Sequence, residues 1–167
     1  MPWSSGAVRL LALDHISYLD PATVLDIGAG AGTWRNWWPH GVWTAVEIWE
    51  PYVERFELRT RYHHVIVGDA QTVDLGGPYD LAILGDVLEH TSNPLALYER
   101  VRAVAGCVVV QVPLGYWPQG EEEGNPYETH LSTISPDEVR NWPGVKFFYE
   151  KDQIGLLIAE GSAKVVT

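Results

Sequence analysis

A chain of 167 residues, 46% hydrophobic and 20% charged, can bury one ordinary core without staples, which excludes a disordered or fibrous protein. Its 22 acidic residues against 11 basic ones give a net charge of −11, a field that repels nucleic acid and anionic membranes. The single cysteine, Cys107, has no intrachain partner, which excludes a disulfide framework and a thiolate metal cluster; in its apolar run it reads as a buried small hydrophobe in a reducing compartment.

The first six residues lack the basic region and apolar stretch of a signal peptide, and no segment is long enough to cross a bilayer, so a soluble cytoplasmic protein is expected. In chain order, residues 7–19 suggest a helix, 23–27 a buried strand, and 33–38 a short helix carrying Trp34, Trp37 and Trp38 on one face and stopped by Pro39. Residues 43–47 read as a second strand, 51–61 as a helix opened by Pro51, and 64–67 as a third strand. Within that helix Arg55, Arg59 and Arg61 are interleaved with Glu54 and Glu57, which at helical spacing pair internally.

Residues 79–84 form the fourth strand, a helix runs from Pro94 to about Ala105, and the valine-rich run 107–112 is a strand buried on both faces and closed by Pro113. Residues 114–129 carry Gly, Pro, Trp, Tyr and three consecutive glutamates without a period, the mark of a long functional or mobile loop. A short helix follows from Pro136. Residues 145–149 and 154–159 then make an antiparallel hairpin at one sheet edge around the polar turn 150–153. Strands alternating with amphipathic helices define an α/β protein, a mostly parallel sheet with helices on both faces, in a single domain.

The chemistry lies where strands end, as in open α/β sheets whose ligands bind beyond the carboxyl ends of the strands. After the first strand comes Asp26-Ile27-Gly28-Ala29-Gly30-Ala31-Gly32, where glycines let the backbone turn sharply and leave N–H groups at the helix start for a ligand. The Gly-x-Gly-x-Gly spacing departs from the pyrophosphate fingerprint, and Asp26 places negative charge where a pyrophosphate is repelled and an ammonium is welcome. Glu47 ends the second strand, where a carboxylate accepts from a ribose diol, and Asp69 ends the third, where it accepts from an adenine amine. Any one of these is also an ordinary strand-end residue. Three at successive strand ends are not.

The stretches 24–33, Val46-Glu47-Ile48, Gly68-Asp69-Ala70 and 79–90 together resemble the successive motifs of the class I S-adenosylmethionine-dependent methyltransferases, in order and spacing, over roughly residues 20–160. The resemblance implies a Rossmann-like three-layer sandwich with a seven-stranded sheet whose last strand is antiparallel. It implies S-adenosyl-L-methionine as cofactor, leaving S-adenosyl-L-homocysteine as product. Asp26 and the loop Gly28, Ala29, Gly30 and Gly32 would hold its methionine portion, Glu47 with Ile48 the ribose, Asp69 and Ala70 the adenine edge, and Gly85, Asp86 and Val87 the sulfonium pocket. Residues 1–20 would be an N-terminal helix, 21–113 the cofactor half, and 114–167 the substrate loop and hairpin.

On the acceptor side, His90 of the Asp-Val-Leu-Glu-His segment borders donor and acceptor by that resemblance, or only supports the following helix. His130, after the long loop, is the candidate general base for an oxygen or nitrogen nucleophile, because its ordinary pKa lies near neutrality. A surface role fits it equally. A pocket is expected beside Asp86, His90 and His130. Tyr116, Trp117 and Tyr127 form an aromatic wall for the acceptor or pin the loop, while Glu121, Glu122 and Glu123 read as a solvated segment.

His63 and His64 point to opposite faces of a strand, and no metal is expected. A small-molecule acceptor or an exposed side chain is favoured, and the eight tryptophans leave scope for an aromatic interface. Two other readings remain: a nicotinamide-dependent oxidoreductase, for which the chain has no separate substrate domain, and a non-catalytic protein that binds S-adenosylmethionine or its demethylated product and acts through a partner.

Overall fold

The computed structural model describes residue 6 and residues 8–164. The expected helix over 7–19 is observed as α1, Arg9–Leu19, with Ala7 outside the described residues. β1 (Thr23–Ile27), β2 (Val42–Glu47), β3 (His64–Val67) and β4 (Tyr79–Gly85) follow the expected strands closely. β5 (Ala105–Pro113) starts earlier than its valine run because α5 (Pro94–Arg102) stops short of Ala105, and Pro113 is the last residue of the strand. α2 is Thr33–Trp37 and α6 is Pro136–Arg140.

One expected helix is two. Residues 51–61 break into α3 (Glu50–Arg55) and α4 (Leu58–Arg61) at Glu57, which takes a left-handed φ of 52°. The break frees the Phe56 carbonyl, which accepts from Arg61 at 3.1 Å, and buries Leu58 fully. The internal ion pairing expected of this segment is correspondingly reduced. Arg59 approaches Glu54 at 3.7 Å, whereas Arg55 pairs with Glu123 and Arg61 turns to backbone carbonyls.

The seven strands form one sheet in the order β3-β2-β1-β4-β5-β7-β6, where β6 is Val145–Lys151 and β7 is Ile154–Glu160. β1 pairs in parallel with β2 and with β4, and β7 is antiparallel to both β5 and β6. The expected hairpin therefore inserts its second strand beside β5 and leaves β6 at the edge. Its turn is tighter than residues 150–153, with Asp152 and Gln153 both at positive φ, the backbone twist that suits a two-residue hairpin.

Alternate residues along each strand feed two cores. Leu25, Ile27, Ala82 and Leu84 pack with Leu97, Tyr98 and Val101 of α5 on one face. Val24, Leu81 and Ile83 pack with Ala12 and Ile16 of α1, Trp34 of α2 and Leu58 of α4 on the other. Strands covered on both faces need the apolar runs that mark β4 and β5. At the open end of the first pair, the Thr23 backbone N–H donates to Asp80 at 2.8 Å and Asp80 N–H returns a bond to the Thr23 hydroxyl, pinning β1 against β4.

Most tryptophans serve these cores rather than an interface. Trp34, Trp43 and Trp142 are buried, Trp37, Trp38 and Trp49 half-buried, Trp117 is 41% exposed, and Trp3 lies outside the described residues. Cys107 is half-buried rather than buried, its sulfur 3.5 Å from His15 Nε2, and burial pushes its thiol up to about 11. No helix is long and apolar enough to cross a membrane.

Candidate active site

From β1 the chain moves to β2 and β3 on one side, and later to β4 and β5 on the other, so the carboxyl ends of β1 and β4 diverge into a crevice. Two adjoining cavities fill it. Both are lined by Gly28, Ile48, Val87, His90 and Tyr127. The first adds Ala29, Gly30, Glu47, Gly85 and Asp86, and the second adds Gly68, Asp69, Ala70 and Gln71. Every residue expected at the cofactor is thus in one crevice except Asp26 and Gly32, which line neither cavity.

Gly28 shows why the first turn requires glycine. Its φ is +65°, and a Cβ built there would stand 2.5 Å from Val87 Cγ2. The backbone thereby approaches the segment after β4 closely enough to close one wall of the cavity. Part of the loop's N–H groups is engaged within the protein, while Thr33 and Trp34 at the helix start line the first cavity. Gly28 and Ala29 donate to the Val46 carbonyl, Gly30 donates to Glu47 Oε2 at 2.8 Å, and Gly32 donates to Ala29. Arg61 reaches across to the Ala31 carbonyl at 2.9 Å and to Asn36.

Carboxylates dominate the crevice. Glu47 is buried, with its other oxygen accepting from Trp49 N–H at 2.9 Å, and burial raises its pKa despite those bonds. Asp26 lies beneath the loop, where Tyr62 donates to Oδ2 at 2.6 Å and Oδ1 has no partner among the described residues. Burial raises the Asp26 pKa to about 7, with Glu47 adding to the rise. Glu89 is buried within the turn Leu88–His90, and burial together with the charge of Asp86 raises its pKa well above the ordinary range. Asp69 is more exposed, accepting from Gln71 N–H at 2.8 Å. Asp86, at a left-handed φ of 54°, accepts from the Gln111 amide at 2.7 Å.

His90 lines both cavities, its Nδ1 3.2 Å from the Thr129 carbonyl, and burial with the neighbouring His130 lowers its pKa to about 4. His130 is not remote from the crevice. Its ring meets the His90 ring edge-on with centroids 4.8 Å apart, although it opens on an outer depression that it shares with Tyr116 and Trp117. The expected aromatic wall is therefore divided: Tyr127 faces the crevice beside Trp49, while Tyr116, 82% exposed, and Trp117 do not. The glutamate run is also divided, since Glu123 ties the loop to Arg55 of α3. His63 is turned onto β2, where Nδ1 accepts from Trp43 N–H at 3.0 Å.

Several site residues were not legible beforehand. Tyr52, Asn125 and Glu128 line the first cavity, and Gln111 is fully buried behind Asp86. Asn125 and Glu128 come from an aperiodic stretch, so nothing in their spacing marked them, and Gln111 was hidden as one polar residue in an apolar strand. Glu89 stood in a recognised motif without a role. It now groups with His90 and His130, one ligating atom from each lying within 4.8 Å of the others.

A sheet of this order with one reversed strand and an acidic crevice at the β1/β4 divide defines a Rossmann-like protein of the methyltransferase architecture. The chain belongs to the methyltransferase domain family, which residues 8–143 match. Among solved structures it is similar to CalS10 with S-adenosylmethionine bound, an amino pentose methyltransferase from Micromonospora echinaspora, at a TM-score of 0.71 and 16% identity over 92% of this chain and 89% of that one. The Burkholderia thailandensis 1,6-didemethyltoxoflavin-N1-methyltransferase, with its substrate and S-adenosylhomocysteine, gives 0.67 and 19% over 95% and 79%. The N-terminal domain of EvdMO1, in the presence of S-adenosylhomocysteine and D-fucose, gives 0.68 and 15% over 94% and 84%. At these identities the likeness is one of fold. No curated protein matches the sequence.

Proposed function

We propose that this methyltransferase takes S-adenosylmethionine in the crevice and methylates an oxygen or nitrogen of a small molecule. The observation that carries the reading is the charge of the site. Glu47, Asp86 and Glu128 line the first cavity and Asp69 the second, so the ligand that belongs there brings positive charge, as a sulfonium and an ammonium do and a pyrophosphate does not. The same field argues against a nicotinamide dinucleotide.

When bound, the donor supplies a methyl group already activated for in-line displacement. The protein's task is then to orient and desolvate. Glu47, held by two backbone donors, retains lone pairs for a ribose diol. Asp69 and Ala70 line the second cavity, the adenine end, and Gly85, Asp86 and Val87 line the first, beside the sulfonium. His90 bounds the acceptor end with His130 behind it, and the pair is assigned to the acceptor's departing proton. Residues 114–167 provide the acceptor side.

A small acceptor is supported by how little chain stands between the long loop after β5 and the terminal hairpin, and by neighbours whose names specify an amino pentose and 1,6-didemethyltoxoflavin. The test is calorimetric titration with S-adenosylmethionine and with NADH, repeated on Asp69→Ala and Glu47→Ala, followed by an acceptor screen. Donor binding weakened in both variants is the expected result. Preference for NADH overturns the reading, and donor binding without turnover on any small acceptor favours a non-catalytic binding protein.

A further inference from the structure

We propose that Glu89, His90 and His130 form a binding site for a divalent first-row transition-metal cation at the acceptor end of the crevice. The three residues come from two segments that the backbone clamps together. Leu131 and Ser132 N–H groups donate to the Glu89 carbonyl at 2.8 and 3.1 Å, which brings the chain after the long loop against the Leu88–His90 turn. One ligating atom from each of the three then lies within 4.8 Å of the others, and His90 Nε2 is 3.9 Å from Glu89 Oε1.

The hydrogen bonds select which atoms face a cation. His90 Nδ1 is 3.2 Å from the Thr129 carbonyl, and His130 Nδ1 contacts the Trp117 carbonyl. A carbonyl only accepts, so Nδ1 carries the proton in both rings and Nε2 is left with its lone pair. That is the arrangement by which metal-binding histidines are oriented, the far nitrogen ligating while the near one donates to a backbone oxygen.

Glu89 supplies a second, independent indication. Its side chain is 97% buried by its 3% exposure, yet Oε2 has no hydrogen-bond partner among the described residues. A buried carboxylate oxygen without a donor is a costly group. A cation bound by Glu89 would satisfy it. Metal–nitrogen and metal–oxygen bonds of about 2.0–2.2 Å require the ligand atoms to draw closer than they now stand, a movement within reach of side-chain rotation at half-exposed His130.

Two imidazoles and one carboxylate favour zinc, cobalt or iron over magnesium or calcium, which take sets built from oxygen. Three protein ligands leave coordination positions open, and His90 lines both cavities, so those positions suit an oxygen of the acceptor, whose acidity the cation would raise in place of the proton uptake assigned to the metal-free histidines. Only this last role rests on the methyltransferase reading. The cation site itself does not.

The test uses the full chain after chelator treatment, titrated with Co2+ followed by visible absorbance and with Zn2+ and Mg2+ followed by calorimetry. One saturable Co2+ and Zn2+ site per chain is expected, with Mg2+ binding much weaker. His130→Ala and Glu89→Gln, each checked for an unchanged far-ultraviolet circular dichroism spectrum, should weaken Zn2+ by at least tenfold, whereas His64→Ala on the exposed β3 position should not. Absence of a saturable site, or equal affinity in His130→Ala, overturns the proposal. S-adenosylmethionine titrated into the same samples separates the two ideas: donor binding without a cation sinks only the cation site, and a cation without donor binding sinks only the donor assignment.

Discussion

Replacing Asp26 by asparagine should remove a specific part of the protein's pH dependence. The carboxyl has a pKa of about 7 in the folded chain against an ordinary 3.8, chiefly from burial. Because the folded value is the raised one, the folded state binds a proton that the unfolded state has released. Its contribution to stability is complete below the unfolded pKa and is lost as pH rises through the folded one. At about 1.4 kcal/mol per pH unit of separation, the full loss is about 4 kcal/mol, of which about 3 kcal/mol falls between pH 5 and pH 8. Asparagine keeps an acceptor for Tyr62 and cannot ionise. Urea unfolding of the ligand-free protein and of Asp26→Asn at pH 5, 6, 7 and 8 measures the difference. The wild type should lose about 3 kcal/mol more than the variant across that range, by the same linkage. Parallel curves would refute the argument that Asp26 is forced to ionise in a buried site.

Other consequences follow from the same geometry. Gly28→Ala should destabilise the fold by about 2 kcal/mol, since it combines a left-handed φ with a clash against Val87, and urea unfolding showing under 0.5 kcal/mol would contradict the close approach. Glu47→Gln must turn an amide donor toward Gly30 or Trp49 N–H, leaving a buried donor unpaired, so urea unfolding should show a loss of about 1–3 kcal/mol. Gln153→Gly relieves a left-handed residue in the hairpin turn and should raise stability by about 1 kcal/mol, an effect that thermal unfolding reads directly.

How much of this could be read from residues alone depends on whether the signal is local. Strand positions came through well because burial on both faces demands contiguous apolar residues, and the valine run of β5 or the run in β4 satisfies that demand regardless of neighbours. The helix over 51–61 failed for the complementary reason. Its sequence is helical throughout, and only the positions of Leu58 in the core and Arg61 against the glycine loop require the left-handed residue at Glu57. Likewise, glycine spacing announced the turn after β1, but not that the N–H groups of Gly28, Ala29 and Gly30 turn to Val46 and Glu47.

The amino-acid sequence by itself determined the alternation of strands and helices, the acidic residues at successive strand ends, and the family. These depend on hydrophobic period and short-range spacing, which survive without knowledge of contacts. The tertiary structure alone decided that Asp26 lies beneath the loop rather than in the crevice and that Tyr127, not Trp117, faces it. It also decided that His130, forty positions along the chain from His90, returns to touch it. Such encounters are set by the path of an irregular segment over the surface, and no periodicity in the segment records where it lands.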